Sequence, residues 1–588
     1  MKDFVKMVLA VICGFFIIGI LCFILSMGFL GAAIASGSGT PSLPKSGVLK
    51  IDLSKVAFGE QTLKDNPLSG MDASSLMSGG GSTAQTIGIW DAVQAIHAAA
   101  EDPAVKYIYL RTDDNVSSVT ALGEVREALS KFRTDSGKPV VAYMENPGTG
   151  DYYFATVADK IYMSSYLGAS PRITGVGSQM MFLGDLLNRF GVNVQLIRHG
   201  KYKSAGEMYT RATSSPENRE QNQRMIDSIW ETIGTQIAEA RGISLEELDR
   251  MIEGLEINFP QDLIDRKLAD ELLDREGLEN KLATLAVVDK FKDIKWISFA
   301  DYVEAKLVPS KAKQKIAVIY ADGEIIDGSA KSNVAGDRFA SVISKVRADS
   351  TVKAVVLRVN SPGGSVFASE KIKAELDLLK ADKPIVASYG DYAASGGYWI
   401  SNNCEKIYSD ATTLTGSIGV FGMIPDLSKT VKDFAHVGVE SVTSHKHGDM
   451  YSLMRPFDSD EYNYMLASIE TIYDRFTTTV SEGRGIPKET VDAIGQGRVW
   501  TGADALQINL VDEIGTLEDA IRYAAVAAGD PDLAQWNVKG YPAPPSMMEQ
   551  LFDAIGKNSG NDNALVAAFK RFTSPQILAR MDNDIRIK

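Results

Sequence analysis

The sequence predicts an α/β protein made of two related halves, each built on a largely parallel β-sheet. Four short segments recur in the same order at a nearly constant separation, which indicates an internal repeat. In both halves, short β-branched runs alternate with helical stretches. Strands that alternate with helices form βαβ units with right-handed crossovers, so we expect a parallel sheet in each half.

The repeat can be read directly from matching residues. Three strong matches and one fainter match relate the halves: residues 102–111 with 349–358, 138–142 with 383–387, 159–162 with 405–408, and 262–270 with 504–512. Chance could give one such match, but hardly four in order. We therefore expect an N-terminal repeat domain over residues 47–310, a C-terminal repeat domain over residues 311–535, and a C-terminal extension without a counterpart over residues 536–588.

The second half shows its predicted elements most clearly. Apolar periodicity and turn residues place them in this order: strand 316–320, helix 339–348, strand 354–359, turn 361–364, helix 365–379 and strand 384–389. A further helix is expected to start at Ser395 and to run through Asn402. Two polar or glycine-rich segments thus follow directly after predicted strands.

Composition restricts the classes of function. The chain has 588 residues, too many for one core, with 45% hydrophobic and 23% charged residues and a formal net charge of −14. This acidic balance argues against nucleic acid as a partner. The three cysteines, Cys13, Cys22 and Cys404, allow neither a disulfide framework nor a CxxC metal site. We expect no metal and no cofactor.

The N-terminus has the character of a membrane segment. Residues 7–35 contain no charged residue, and a bilayer span needs roughly 20 apolar residues. Lys2 and Lys6 precede the run, which favours a cytoplasmic N-terminus over residues 1–6 and a linker over residues 36–46. The alternative is a signal peptide cleaved near Ala33-Ile34-Ala35, but the run exceeds the roughly 7–15 residues of a typical signal core.

The first candidate for chemistry is the turn Asn360-Ser361-Pro362-Gly363-Gly364. It follows a strand and precedes a helix, and adjacent glycines let backbone N–H groups point at a ligand. Such a turn suits an oxyanion or a phosphate. The P-loop and GxGxxG patterns are both absent, which argues against a nucleotide. A plain strand-to-helix turn is the alternative.

The second candidate is Ser395, which stands between a predicted strand and a predicted helix and is followed by Gly396. A helix N-terminus favours developing negative charge, and the Gly396 amide can donate to an oxyanion. The alternative is an ordinary N-cap serine. The first half has Gly148 to Tyr152 at the matching place, without such a serine.

A serine nucleophile needs a base. The five histidines, His97, His199, His436, His445 and His447, form no recognisable triad motif, although triad partners need not be close in sequence. A lysine that is kept neutral by burial is the other option, and Lys201 and Lys203 are candidates. The alternative for either lysine is an exposed, solvated side chain.

These segments resemble the signal peptide peptidase A family in its long, two-repeat, membrane-anchored form. The resemblance covers nearly the whole chain and is carried by residues 202–205, 360–364, 393–398, 415–420 and 497–502. The family belongs to the Clp protease and crotonase-like superfamily. The resemblance therefore implies two tandem Clp/crotonase-like repeats with βαβ units, preceded by one transmembrane helix.

The resemblance also implies a role for each site residue. The family uses a Ser–Lys dyad built across the two halves, which makes Ser395 the nucleophile and Lys203 the general base. Ser417 matches the serine that orients the lysine. The Gly364 and Gly396 amides match the oxyanion donors, and Gly363 shapes the turn that presents them.

The implied function is a serine endopeptidase that degrades cleaved signal peptides, and other hydrophobic peptides, after secretion. By resemblance it is a homotetramer anchored in the bacterial inner membrane, in contact with lipid, with its catalytic part on the periplasmic side. Two alternatives remain. One is a crotonase-like acyl-CoA enzyme that uses paired amides for a thioester oxyanion, and the other is a membrane scaffold without activity.

Overall fold

A computed structural model of the chain describes residues 41–63, 84–308, 310–331, 333–544 and 576–581. The predicted cytoplasmic N-terminus, the predicted membrane segment and residues 36–40 of the predicted linker lie outside these ranges. Within the described ranges, no helix is both long enough and apolar enough to cross a bilayer.

The first half alternates strands with helices, as its sequence predicts. Its strands are β1 (Gly47–Asp52), β2 (Val56–Gly59), β3 (Gln85–Gly88), β4 (Val105–Arg111), β5 (Val140–Met144), β6 (Lys160–Ser164), β7 (Asn193–His199), β8 (Glu271–Leu273) and β9 (Trp296–Ser298). Its helices are α1 (Ile89–Glu101), α2 (Val119–Ser136), α3 (Thr149–Ala155), α4 (Gly184–Arg189), α5 (Glu207–Thr210), α6 (Pro216–Arg241), α7 (Leu245–Glu253), α8 (Pro260–Asp265), α9 (Arg275–Leu285) and α10 (Phe299–Lys306).

The second half repeats this alternation. Its strands are β10 (Lys315–Asp322), β11 (Ile325–Ile326), β12 (Val334–Ala335), β13 (Val352–Ser361), β14 (Gly363–Ser365), β15 (Ile385–Ala394), β16 (Lys406–Ser409), β17 (Leu414–Gly416), β18 (Val420–Asp426), β19 (Val499–Thr501), β20 (Glu513–Ile514), β21 (Asn537–Tyr541) and β22 (Gln576–Arg580). Its helices are α11 (Gly336–Ala348), α12 (Val366–Asp382), α13 (Gly396–Ser401), α14 (Ser459–Arg484), α15 (Lys488–Ile494), α16 (Gly502–Gln507) and α17 (Leu517–Ala527). The strands and helices predicted for this half are therefore present.

Each half contains a six-strand parallel path, and the two paths have the same order. In the first sheet the order is β8-β6-β5-β4-β1-β9. In the second sheet it is β20-β16-β15-β13-β10-β21, and β17 and β19 extend the sheet beside the end of β15. Three of the four sequence matches fall on equivalent strands of these paths, and the fourth falls on helices α8 and α16 and the residues that lead to β8 and β20.

The equivalence extends beyond residue 535. Strand β21 pairs in parallel with β10, as β9 pairs in parallel with β1. Strand β22 pairs with β14 and with β18. The sequence analysis predicts residues 536–588 as an extension without a counterpart. The described part of this segment instead contributes strands to sheets of the second half.

A third sheet joins the two halves. Its order is β12-β11-β14-β22-β18-β7, and β7 is a strand of the first half. Strands β7 and β18 are antiparallel over seven residue pairs, from His199 opposite Val420 to Asn193 opposite Asp426. The residues that follow β7 are therefore brought next to the residues that precede β18.

The central strands are buried on both faces, as expected when helices cover a parallel sheet. Strand β13 is almost wholly buried, and its apolar side chains pack in the cores on both faces of the second sheet. Arg358, a charged residue of the same strand, is also buried and is 1% exposed. A charged group is retained inside a protein only when it is paired.

Arg358 is paired with two carboxylates from the first half. Its guanidinium lies 2.7 Å from Glu60 and 2.6 Å from Glu124, and it donates to the hydroxyl of Ser388 at 2.9 Å. The second oxygen of Glu124 accepts from the backbone N–H of Leu517 at 2.7 Å. Burial raises the pKa of Glu124 to about 7, against the effect of the nearby Arg358. This buried cluster connects the two halves away from the third sheet.

We expect Arg358→Met to destabilise the fold by about 3–5 kcal/mol, because it leaves two buried carboxylates without their cation. The unfolding midpoint in urea measures the effect. Arg275→Met is the matched control, because Arg275 pairs with Glu279 at the surface and is 84% exposed, so its loss should cost little. Equal midpoints for the two variants would contradict this account of the cluster.

Candidate active site

Ser395 lies where β15 ends and α13 begins. It is the N-cap residue of α13 and adopts φ 55° and ψ −112°, a region that few non-glycine residues occupy. Its side chain does not cap the helix. The backbone is held by hydrogen bonds from the Ser395 N–H to the Gly416 carbonyl and from the Trp399 N–H to the Ser395 carbonyl, both at 2.8 Å. An ordinary N-cap serine is therefore the wrong interpretation of this residue.

The Ser395 hydroxyl is bonded to Lys203, which comes from the other half of the chain. Lys203 Nζ donates to Ser395 Oγ at 2.9 Å, to Ser417 Oγ at 2.9 Å and to the Ser417 carbonyl at 3.1 Å. All three residues are at most 1% exposed. The alternative of a solvated surface lysine is thus wrong for Lys203.

The antiparallel pairing of β7 with β18 explains how Lys203 reaches this place. His199 ends β7 opposite Val420, the first residue of β18. Lys203 follows His199 by four residues, and Ser417 precedes Val420 by three. The two loops therefore meet at the same end of the ladder, beside the end of β15 that carries Ser395.

Polar contacts hold the backbone around Lys203. Arg198 Nη1 donates to the Lys203 carbonyl at 2.7 Å and to Glu207 at 3.0 Å. Gln221, on α6, donates to the Tyr202 carbonyl at 3.1 Å. Because the loop is anchored on both β7 and α6, the lysine side chain is fixed in position.

Two glycines make room for the lysine. A Cβ atom at Gly497 would lie 2.5 Å from Lys203 Cβ, and Gly497 has φ 79°. A Cβ atom at Gly419 would lie 3.2 Å from Lys203 Cδ and 2.7 Å from the backbone of Gly497. Real Cβ atoms do not come as close as 2.7 Å to backbone atoms, so only glycine fits beside Lys203 at either position.

Ser417 is also held in an unusual conformation. Its φ is 49°, and its N–H donates to the Arg498 carbonyl at 2.7 Å. Both oxygens of Ser417 accept from Lys203 Nζ. The structure therefore places Ser417 where it can orient the lysine.

The predicted oxyanion glycines lie together beside Ser395. Gly363 and Gly364 have φ 94° and 153°, and a Cβ atom at Gly363 would lie 2.6 Å from the amide nitrogen of Gly396. The Gly363 N–H itself donates to Ser361 Oγ at 3.2 Å. Because the Gly363 N–H serves the turn, the Gly364 and Gly396 amides stay the predicted oxyanion donors.

The other predicted bases lie elsewhere. His199 is bonded to Glu470 at 2.8 Å and stacks on Tyr473 with ring centroids 3.7 Å apart. Lys201 is exposed, with its ammonium 5.0 Å from the Tyr202 ring centroid. Among the hydrogen bonds of the described residues, none connects a histidine to Ser395.

The matching place in the first half has no serine. Gly148 is the N-cap of α3, as Ser395 is the N-cap of α13. The hydroxyl of the next residue, Thr149, accepts from the Thr174 N–H at 3.1 Å. The Asp151 carboxylate instead accepts from the Gly148 N–H at 2.8 Å, and burial raises the pKa of Asp151 to about 6. The candidate site is therefore a single site that draws on both halves.

Comparison with known proteins agrees with this arrangement. The model of peptidase family S49 matches residues 132–289 and 377–529, which together make up more than half of the chain. The chain belongs to peptidase family S49. Lys203 lies in the first matched region, and Ser395 and Ser417 lie in the second, whereas Gly363 and Gly364 lie between them.

Three similar proteins match this chain over most of their length. Protease 4 of Haemophilus influenzae is 35% identical over 538 residues, covering 86% of this chain and 85% of that protein. Protease 4 of Salmonella typhi is 35% identical over 535 residues, covering 89% and 84%. The chloroplastic serine protease SPPA of Arabidopsis thaliana is 29% identical over 500 residues, covering 82% and 72%. This S49 member is accordingly a protease of the signal peptide peptidase A type.

Sequence reasoning gave no role to three residues that the structure places around Lys203. Gly497 and Gly419 belong to motifs quoted for the family resemblance, but a packing role cannot be read from a motif. Arg198 carried no signal, because its contacts depend on the fold of the loop that follows β7.

We expect Gly497→Ala to lower kcat/KM for peptide hydrolysis by about 10²-fold, because the added methyl displaces Lys203 and a small displacement of a reacting group has such an effect. Gly438→Ala is the matched control, since no other residue lies within 4 Å of a Cβ atom at that exposed glycine. Thermal unfolding shows whether each variant folds. A folded Gly497→Ala protein with wild-type kcat/KM would refute the packing role.

Proposed function

We propose that this S49 protease is a Ser–Lys endopeptidase in which Ser395 is the nucleophile and Lys203 is the general base. The observation that carries the proposal is the 2.9 Å hydrogen bond between Lys203 Nζ and Ser395 Oγ, two side chains that are at most 1% exposed. Burial disfavours the charged ammonium form of lysine, which is the form that cannot accept a proton. The pairing therefore has the components of an activated serine.

The reaction follows from the geometry. Neutral Lys203 takes the proton from Ser395 Oγ while Oγ attacks the peptide carbonyl. The Gly364 and Gly396 amides then hold the tetrahedral oxyanion, and one such donor contributes about 10²–10³ in rate. Lys203 gives the proton to the leaving amine, and a water molecule hydrolyses the acyl-enzyme to release the new carboxylate. Ser417 holds Lys203 in line with Ser395 throughout.

For the substrate, we propose cleaved signal peptides and other hydrophobic peptides. The walls next to the site support an apolar peptide, since Ala394, Leu414 and Val499 form a buried cluster with Met225 and Ile229 of the first half. The site is lined by side chains of both halves, so we propose that the two Clp/crotonase-like repeats bind the peptide together. An acyl-CoA substrate is the alternative, and parallel assays of peptide and acyl-CoA turnover distinguish the two.

We further propose that residues 7–35 anchor the protein in the bacterial inner membrane, with the catalytic part on the periplasmic side, and that it forms a homotetramer. The sequence of the N-terminus supports the anchor. Apolar side chains at the surface support self-association, among them Val437, Val439 and Val442, which are 51%, 54% and 95% exposed. Light scattering of the detergent-solubilised protein tests the assembly, and a monomer would refute it.

We expect Ser395→Ala and Lys203→Met each to lower the hydrolysis of a fluorogenic apolar peptide by about 10³-fold or more, because members of a catalytic unit fail together. Lys201→Met, two residues away and exposed, is the matched control and should retain activity. Wild-type turnover by either site variant would contradict the assignment of the dyad. An inactive scaffold would leave even the wild-type chain without turnover.

The pH profile should show kcat/KM rising with pH in one step, because the base must lose its proton before it can accept one from Ser395. The profile is measured from pH 5 to 10 for the wild type and for His199→Gln, and the two should coincide. A rise centred near pH 6.5, the ordinary histidine value, that disappears in His199→Gln would point to a histidine base instead.

A further inference from the structure

Strand β22, from the C-terminal end of the chain, lies between the two strands that border the site. It is antiparallel to β14 on one side and to β18 on the other. Strand β14 carries the glycines of the oxyanion turn, and β18 follows directly after the Ser417 loop. An extended peptide that adds to two strand edges in this way is a common form of peptide recognition.

The register places one carbonyl group of β22 against the predicted oxyanion donors. The Met581 N–H donates to the Pro362 carbonyl at 2.9 Å, and antiparallel ladders alternate, so Gly364 and Ala579 form the next hydrogen-bonded pair. In such a pair the Gly364 N–H faces the Ala579 oxygen. A Cβ atom at Gly363 would overlap this oxygen and would lie 2.6 Å from the Gly396 nitrogen. The Ala579 carbonyl is thus close to both amides.

The side chains of this segment fit the groove. Ala579 is fully buried, and Met581, which is 4% exposed, packs in the cluster with Met225 and Ile229 of α6. Arg580 lies between them along the strand and donates to Glu324 at 3.0 Å, at the partly exposed edge. A small residue therefore lies at the carbonyl position, and an apolar residue lies two positions after it.

We propose that residues 576–581 are an intramolecular competitor for peptide substrates, with Ala579 in the subsite of the residue whose carbonyl Ser395 attacks. The inference rests on the proposed function, because it takes Gly364 and Gly396 to be the oxyanion donors. A substrate needs the same amides and the same two strand edges, so it and β22 exclude each other. The groove accordingly prefers a small residue at the position of Ala579.

The test compares the full-length chain with Ala579→Arg and with Met581→Glu, neither of which fits a buried apolar position. If the segment fills the groove about nine-tenths of the time, its displacement lowers the apparent KM for a fluorogenic peptide about tenfold or more. Ala435→Arg, at an exposed alanine, is the matched control and leaves KM unchanged. Circular dichroism shows which variants are folded.

A second measurement does not depend on catalysis. A labelled, capped peptide with the sequence of residues 576–581 is titrated by fluorescence anisotropy into the Ser395→Ala chain, with and without Ala579→Arg. Tighter binding to the double variant supports the proposal, and the same peptide with tryptophan for Ala579 should bind weakly. Equal binding to both chains, or an unchanged KM in folded Ala579→Arg and Met581→Glu, overturns it.

These readouts separate the two proposals. If the peptide binds the double variant but no form of the protein hydrolyses peptides, the occupied groove stands and the Ser–Lys proposal fails. If Ser395→Ala abolishes hydrolysis but the peptide does not bind, the competitor fails alone. Cleavage of the chain after Ala579 also supports this register. In that reaction Ser395 Oγ takes the acyl group, the Arg580 amine leaves with the proton, and water then releases the carboxylate.

Discussion

The antiparallel pairing of β7 with β18 is the constraint on which the candidate site depends. It is the ladder through which a strand of the first half joins a sheet of the second half. Ser395 and its neighbouring amides belong to one half, whereas Lys203 belongs to the other. A shift of two residues in this ladder would move Lys203 by about 6–7 Å along β18 and separate it from Ser395. The β7–β18 register therefore positions the proposed dyad as well as joining the two halves.

The buried Arg358 cluster has a different role in joining the halves. It connects Glu60 and Glu124 with the centre of the second sheet, on strand β13, whose far end leads into the oxyanion turn. Buried ion pairs add little net stability, but a buried charge that loses its partner strongly destabilises the fold. The cluster therefore favours one relative placement of the halves, and that placement is the one in which the ladder between β7 and β18 can form.

Much of the fold could be predicted because its signals are local. The strands and helices of the second half follow from apolar periodicity and from Gly and Pro positions, and the repeat predicted a parallel sheet in each half. The place of β21 was missed, because the match between β9 and β21 lies in pairing and not in residue identity. The bounds of the domains and the N-terminal anchor stay predictions, the latter because residues 1–40 lie outside the described ranges.

The site was only partly predictable from residues. Physical reasoning alone left two interpretations of Ser395, a nucleophile and an N-cap, and left Lys203 beside Lys201 and five histidines as candidate bases. The family resemblance selected between them. The structure then brought Ser395, Lys203 and Ser417 together. The packing glycines and β22 were not predictable, because a contact between distant segments leaves no pattern in either of them.

The space between β14 and β18 has the width of one strand, and this width decides which chains can react. Four residues span about 13 Å as a strand but only about 6 Å as an α-helix, so a helical chain must unwind before it can pair with both edges. A folded domain would have to release a whole strand, at the cost of the hydrogen bonds and the packing that the strand makes in its own sheet. The groove thus selects by conformation before it selects by side chain, so the proposed peptidase would act on loose apolar fragments and would spare stably folded proteins.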